Sequence, residues 1–370
     1  MDLLLTEQQS LFADAAARLC ADHGGPSRLR ALRRTQAEPD AEAWRAAVAA
    51  HWHATLVAEP HGGLGLGAVD LALALEAAGR QLLGLPLIEA AAVARTLSRA
   101  AGARAPAALA DLLAGAGLIV PATEAASWRF DGRSSDLRYE ASSSLLQGNI
   151  PFVAYANAAD AFLVAVDSAT SACLAIVPRA EVSVVTERNV DGSTSSTLDF
   201  AKVRVPAGHL IATGAAACRL VVELQELLTL GAGVELVGLA AAALEVTLDY
   251  IKLRRQFGRP IGSFQVLQHR AVDAFVDVEL NRSLVYRVLA AHDAGAHHPA
   301  MVSAAKARAS RAALSIVRAA LQMHGAIGYT EEHDIGLYYK CAMVLAARYG
   351  GELGQARRFA ELTHATEPPP

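Results

Sequence analysis

The chain has 370 residues, 53% of them hydrophobic, with 33 basic against 37 acidic side chains and a formal net charge of −4. That length is long for a single core and points to two or three domains, and the mild acidity gives no electrostatic footing for nucleic acid. Four scattered cysteines, Cys20, Cys173, Cys218 and Cys341, show no C-x-x-C spacing, so neither a metal site nor a disulfide framework is indicated, which fits a reducing cytosol.

Met1-Asp2 followed by Leu3-Leu4-Leu5 lacks the basic start of a signal peptide, and a cytoplasmic location is expected. From residue 1 to about 117 the chain reads as helices with short breaks. Thr6 with Gln9 can cap the first helix, along which Leu11, Ala15 and Leu19 form an apolar stripe at spacing four. A second helix is expected over Trp44–Val57, ending before the glycine-rich run Glu59-Pro60-His61-Gly62-Gly63-Leu64-Gly65-Leu66-Gly67. A dinucleotide loop needs a buried strand before it; a helical segment stands here, and the run reads as a connection. Val69–Leu85 and Glu89–Ala101 read as two further helices.

Between about 118 and 214 the period changes. Gly117–Pro121, Asp136–Glu140, Ala161–Val166, Ala172–Val177 and Thr197–Val205 are short, β-branched or alternating, and bounded by Gly, Ser and Asp, which predicts an inserted β domain. Ser142–Ser144 and Ser193–Ser196 read as exposed turns, and Gly208–Gly214 as an exit linker.

Long helices return over 215–360. Leu220, Leu224, Leu227, Gly231, Val234, Gly238 and Ala242 step by three or four along one face, with Gly231 and Gly238 allowing close helix approach. Glutamates 223, 226, 235 and 245 break the apolar stretches, so no membrane span is expected. A further helix carries Leu267, Ala271, Ala274, Phe275, Val278, Val285 and Leu289, and another runs from about Ala300 to His324, so the pattern is that of a four-helix bundle. Residues 361–370, ending Glu367-Pro368-Pro369-Pro370, read as a disordered tail.

The chemistry concentrates in Arg254–Arg270, RRQFGRPIGSFQVLQHR, and in its echo QMHGAIGYTEE at 322–332. Gly258, Pro260 and Gly262 can turn the backbone sharply between two helices, and Ser263 is a plausible N-cap. A guanidinium beside a helix N-terminus suits a phosphate or pyrophosphate.

Arg-x-x-Phe-Gly-x-Pro-Ile-x-x-Phe-Gln, followed by Gln-x-x-Gly-x-x-Gly-Tyr-Thr-Glu-Glu, resembles the acyl-CoA dehydrogenase family of flavoproteins. The order of elements over about 1–360 is similar as well. The resemblance implies a mainly α fold with an inserted β domain: an N-terminal helical domain (1–117), a middle β-barrel (118–214) and a C-terminal four-helix bundle (215–360). It implies FAD as cofactor and desaturation of an acyl-CoA thioester. Carried over by position, Arg254 would grip the pyrophosphate, Phe257 would pack on the adenosine side and Gln265 would hydrogen-bond that end. Gln322 and the Gly325–Ala326 backbone would close over it. In the family this clamp holds an FAD bound mainly by a neighbouring subunit.

Two parts of the family pattern are missing. Reading on from Gln322 without gaps, the common Tyr-Glu-Gly-Thr falls on Arg348-Tyr349-Gly350-Gly351, which puts Tyr349 where the basic carboxylate stands. A phenol with a reference pKa near 10 is a poor base at neutral pH. The alternative base position, on the helix before the clamp, falls on Leu228, with Glu226 and Glu235 out of register, while Glu352 lies three residues beyond Tyr349. At the flavin-ring end, Thr123-Glu124-Ala125-Ala126-Ser127-Trp128 replaces the usual loop. In Gly148-Asn149-Ile150-Pro151-Phe152-Val153-Ala154-Tyr155, Phe152 can cover a ring, but Ala154 lacks the hydroxyl.

A clamp without a base resembles the non-basic partner subunit of heteromeric (α2β2) bacterial acyl-CoA dehydrogenases, which implies a second, base-bearing subunit and a bulky or steroid side-chain acyl-CoA. Two alternatives stay open: a self-sufficient homo-oligomer with a displaced base such as Glu352 or Glu235, and a cofactor-free structural subunit.

Overall fold

The computed structural model describes residues 5–35, 38–122, 137–140, 142–168, 172–201, 203–296 and 298–364. The expectations for 123–128 and for the tail beyond 364 fall outside them. Six helices come first: α1 (Glu7–His23), α2 (Pro26–Thr35), α3 (Ala41–Ala49), α4 (Ala68–Arg80), α5 (Leu87–Arg99) and α6 (Ala105–Leu113). Thr6 and Gln9 form the expected capping box on α1, each side chain accepting from the other's backbone N–H. The buried face of α1 is Ala16 and Cys20, whereas Leu11 is 63% exposed. The inward stripe therefore sits one residue later than the leucine spacing suggests. The helix expected over Trp44–Val57 stops at Ala49; His51 turns left-handed at φ 56, and a 3-10 turn over Trp52–Ala54 follows. The glycine-rich run is a tight connection. A Cβ on Gly63 would lie 2.1 Å from the Val57 carbonyl, so the backbone there packs on its own chain.

The middle of the chain holds β1 (Ile119–Ala122), β2 (Arg138–Glu140), β3 (Leu145–Gln147), β4 (Asn149–Ala154), β5 (Ala161–Ser168), β6 (Ala172–Pro178), β7 (Ser183–Arg188), β8 (Thr194–Asp199), β9 (Val203–Arg204) and β10 (Leu210–Thr213). One sheet runs β10-β6-β5-β2-β3-β9 with β1 parallel to β5; a second runs β4-β8-β7. The apolar run of β5 is buried and pairs with β6 over seven residues, Ala161–Asp167 against Pro178–Ala172. Two expectations are corrected here. Ser193–Ser196 is not an exposed turn, since Thr194, Ser195 and Ser196 belong to β8 and Ser196 is 1% exposed, sharing a hydrogen bond with Thr186. The supposed exit linker contains β10, which pairs with β6, a partner too distant in sequence to be legible locally.

The C-terminal part comprises α7 (Gly214–Leu253), the two-residue strands β11 (Arg255–Gln256) and β12 (Arg259–Pro260), then α8 (Gln265–Asp293), α9 (Pro299–His324), α10 (Ile335–Ala347) and α11 (Glu352–His364). The start of the expected tail, 361–364, is thus the last turn of α11. By length and composition α7 alone among the described helices could cross a membrane, but 94% of its most apolar window is buried inside the protein, as in a core helix. Its Leu236, Ala240 and Leu244 pack with Ala274 and Val278 of α8, Ala309, Ala313 and Ile316 of α9, and Leu345 and Ala346 of α10. Gly238 does permit close approach: a Cβ there would lie 2.1 Å from the Glu76 carbonyl, and one on Gly79 would lie 2.2 Å from the Glu235 carbonyl. So α4 and α7 touch backbone to backbone.

By compactness the chain divides into two units, one of residues 1–35, 68–83 and 229–370, the other of 36–67 and 84–228. In the second, Glu223 receives hydrogen bonds from Arg95 at 2.6 Å and from Arg99 at 2.7 Å. Burial works to raise that carboxyl, but the two guanidiniums outweigh it and hold it below its ordinary value.

Candidate functional site

The hairpin that leaves α7 is built from its own sequence. Gln256 pairs with Arg259 across a two-residue loop in which Phe257 (φ 51) and Gly258 (φ 78) are both left-handed. Two positive φ values in succession are what a tight hairpin turn of matching twist requires. Glycine meets this freely, whereas a non-glycine residue is strained by about 1–2 kcal/mol. The strained residue is a phenylalanine whose side chain is 91% exposed, with its ring 6.0 Å from Phe264 and edge-on to it. Gly262 lets the loop fold back on α7, because a Cβ there would lie 2.9 Å from the Ile251 carbonyl. Ser263 is not the N-cap of α8. Phe264 holds that position without a side-chain cap, and the Ser263 hydroxyl donates to the Pro260 carbonyl at 2.7 Å. The first N–H groups of a 29-residue helix are therefore left without a side-chain acceptor among the described residues, beside the exposed Gln265.

The charges of the hairpin sort themselves. Arg255 donates to the Gly258 carbonyl at 3.0 Å, and Arg259 lies 4.2 Å over the Phe264 ring. Arg254 is exposed, and its guanidinium has no partner among the described residues. Residues 250–272 contain Lys252, Arg254, Arg255, Arg259 and Arg270 and no carboxylate. An uncommitted guanidinium, an exposed aromatic ring and an open helix N-terminus thus stand within a dozen residues, a set that suits a phosphate-bearing aromatic ligand.

The second motif meets the first through a ring stack. Tyr250, on the last turn of α7, donates to the His324 carbonyl at 3.3 Å and stacks on the His324 ring at 4.3 Å, with His333 4.4 Å from His324. Gln322 lies two residues before His324, and Gly325 (φ 70) and Ala326 follow it; Gln322 and Ala326 are exposed. Burial lowers His324 below the ordinary imidazole value, and the nearby His333 acts in the same direction, against the Ala320 carbonyl. The stack thus joins the α7 and α9 ends as an uncharged contact near neutral pH.

The turn at 348–351 is of another kind. Tyr349 is left-handed at φ 55, and its partly buried ring packs against the α7–α10 core cluster. Its carbonyl accepts from Gln355 at 2.8 Å. Lys306 of α9, 1% exposed, reaches the same turn; burial, with the charge of Arg348 adding to it, pushes its pKa down to about 7. Glu352 opens α11 with Arg311 3.9 Å away. Leu228 and Glu226 are each 1% exposed. Glu235, with the larger effect of burial, pushes the Cys20 thiol up to about 12. At the segment expected to face the flavin ring, β4 shifts register against β8 between Ile150 and Val153, and the bulge holds Phe152 left-handed (φ 59) and 67% exposed. Sequence reasoning missed Lys306, for which the signal was only a lysine on the inward face of a helix.

A groove of about 620 Å³ between α1, α4 and α8 borders none of the predicted site residues. Glu76 lies in its wall, holding Arg282 at 3.0 Å and the Tyr286 hydroxyl at 2.9 Å.

Residues 229–358 match the family described as Acyl-CoA dehydrogenase, C-terminal domain, and residues 6–105 match Acyl-CoA dehydrogenase, N-terminal domain. Acyl-CoA dehydrogenase IpdE2 of Mycolicibacterium smegmatis is 29% identical over 360 residues, covering 96% of this chain and 98% of that protein. The ChsE4-ChsE5 complex from Mycobacterium tuberculosis superposes with a TM-score of 0.89 at 24% identity over 100% of both chains. A variant of the steroid ACAD Tcur3481-Tcur3483 does so with a TM-score of 0.87 at 24% identity, over 97% of this chain and 98% of that one.

Proposed function

The chain belongs to the acyl-CoA dehydrogenase family, and on that premise we propose that it serves FAD-dependent α,β-desaturation of an acyl-CoA thioester as the subunit that grips the ADP end of the cofactor, beside a second subunit that bears the base. The observation that carries this reading is the contrast within the chain: Arg254 has no partner among the described residues and stands beside a strained, exposed Phe257, while the turn at the family's base position has no carboxylate. The hairpin fits the diphosphate and adenosine of FAD in charge, in its open helix N-terminus and in its exposed ring. The ring end fits less fully, since Ala154 cannot donate the hydrogen bond that a hydroxyl there would give.

When bound, the cofactor supplies a hydride acceptor. Arg254 would neutralise the diphosphate, Phe257 would pack on the adenosine side, and Gln265, Gln322 and the Gly325–Ala326 backbone would bond that end. No group at 348–351 can take the proton beside the thioester carbonyl at neutral pH, because the Tyr349 phenol is a poor base there. That proton is left to the partner. Two of the structural relatives are two-component complexes by name, and one is called a steroid ACAD; both favour a heterotetramer acting on a bulky acyl group.

The test is co-purification. The lone chain is expected to be colourless and inactive, and to gain flavin absorbance and turnover only when co-expressed with a base-bearing relative. Stoichiometric FAD and turnover in the lone chain, abolished by Glu352→Gln or Glu235→Gln, would replace this reading with the self-sufficient one.

A further inference from the structure

Lys306 is a wholly buried amine whose partners among the described residues include no carboxylate. Its Nζ donates to Ser310 Oγ at 2.9 Å, to the Ala346 carbonyl at 2.9 Å and to the Gly350 carbonyl at 3.3 Å, with the Leu345 carbonyl at 3.5 Å. Leu345 and Ala346 lie in the last turn of α10, where carbonyls run out of helical N–H donors. Ser310 Oγ also lies 3.3 Å from the Ala346 carbonyl. From the other side, α11 contributes the buried, uncharged Gln355, whose side chain donates to the Tyr349 carbonyl at 2.8 Å and whose backbone N–H donates to the Gly351 carbonyl at 3.0 Å. The carbonyls of Tyr349, Gly350 and Gly351 are therefore all engaged by neighbouring helices.

We propose that Lys306 is the positioning residue of the 348–351 turn: its Nζ gathers the end of α10 and the Gly350 carbonyl into one buried knot, which keeps the Tyr349 ring against the core and Glu352 at the start of α11. This rests on the reading in which a partner furnishes the base, because a fixed turn without a carboxylate is useful only then. The same knot would keep Glu352 from substituting for the missing group. Carrying it back to position 349 would unwind the first turn of α11 and strip Lys306 and Gln355 of their acceptors.

The test is hydrogen exchange on the whole chain, read at the amides of 348–355 against those of α1 and the middle of α9. Lys306→Met keeps the length of the side chain and removes its donors; exchange in the turn is expected to quicken by about tenfold or more, the worth of a lost hydrogen bond, with trypsin now cutting after Arg348. Lys306→Gln, which restores an N–H donor, is expected to recover part of the protection. Should the Met variant fail to fold, Ser310→Ala takes its place and is expected to loosen the same amides by a few-fold. The proposal is overturned if these variants protect the turn as well as the parent does, or if exchange rises equally in the turn and in α1. Turnover by the lone chain that depends on Glu352 would instead overturn the partner reading, and it leaves the exchange result standing on its own.

Discussion

The hairpin at 255–260 and the turn at 348–351 both force an aromatic residue into the left-handed region, Phe257 at φ 51 and Tyr349 at φ 55. In the hairpin the ring is thrown into solvent, 91% exposed, with a guanidinium three residues before it that has no partner among the described residues. In the turn the ring goes back into the core, and Lys306 and Gln355 take up the carbonyls around it. Strain of about 1–3 kcal/mol is tolerated in each case because surrounding contacts over-determine the conformation. The difference lies in what is left unsatisfied. The hairpin offers an aromatic face and a charge to something outside the chain, and the turn offers almost nothing.

The sharpest way to break this comparison is Arg254→Ala. Charge-assisted hydrogen bonds to a diphosphate are worth about 1.5–3 kcal/mol, so flavin retained by the co-expressed complex is expected to weaken by roughly 10- to 100-fold, measured by equilibrium dialysis. Unchanged retention would leave the hairpin without a cofactor role. Next comes Lys306→Met, expected to lower unfolding stability by about 1–3 kcal/mol at neutral pH, since several buried carbonyls lose their donor. It also alters the pH profile. Lys306 sits at about 7 in the folded chain against an ordinary value of 10.5. The unfolded chain therefore holds the proton that the folded chain sheds between those values, and stability rises with pH across that window. Below about pH 7 both states are protonated and the slope vanishes. The Met variant should lack this rise in urea titrations across the same range.

Phe257→Gly separates stability from binding. Relief of the left-handed phenylalanine is expected to raise stability by about 0.5–1 kcal/mol while flavin retention falls; a loss of stability would show that the exposed ring holds the hairpin together. The smallest effect is expected from Arg311→Ala. Its contact with Glu352 is long, 3.9 Å, and the arginine side chain is 78% exposed, so stability should change by less than about 0.5 kcal/mol. The lone chain should gain no turnover.

Much of this was legible before the structure. The Thr6–Gln9 box, the long C-terminal helices and the central strands are local or strongly periodic, and such signals survive folding. Four strands of the middle region went unread because their information is elsewhere: β7 is almost wholly exposed, β3 has three residues, β4 is interrupted by the bulge between Ile150 and Val153, and β10 exists only through pairing with β6. The cation of the proposed clamp was readable from Arg254 and its neighbours. The strain at Phe257 was not, because nothing in the letters Gln-Phe-Gly-Arg says which residue goes left-handed before glycine. Lys306 was invisible for a similar reason: a lysine on a helix reads as solvated until its partners, about forty residues away, are placed around it.

The backbone contact at Gly79 and Gly238 reaches further than the two residues involved. With 2.2 Å and 2.1 Å of room where methyl groups would stand, α4 and α7 are indexed like the teeth of a vernier: sliding one past the other by a single residue brings Ala78 or Leu239 into a gap sized for hydrogen. Glu76, whose carbonyl faces Gly238, also holds Arg282 and Tyr286 of α8, so the same indexing passes to a third helix. Two absent methyl groups thereby help to set the register of α4, α7 and α8 against one another.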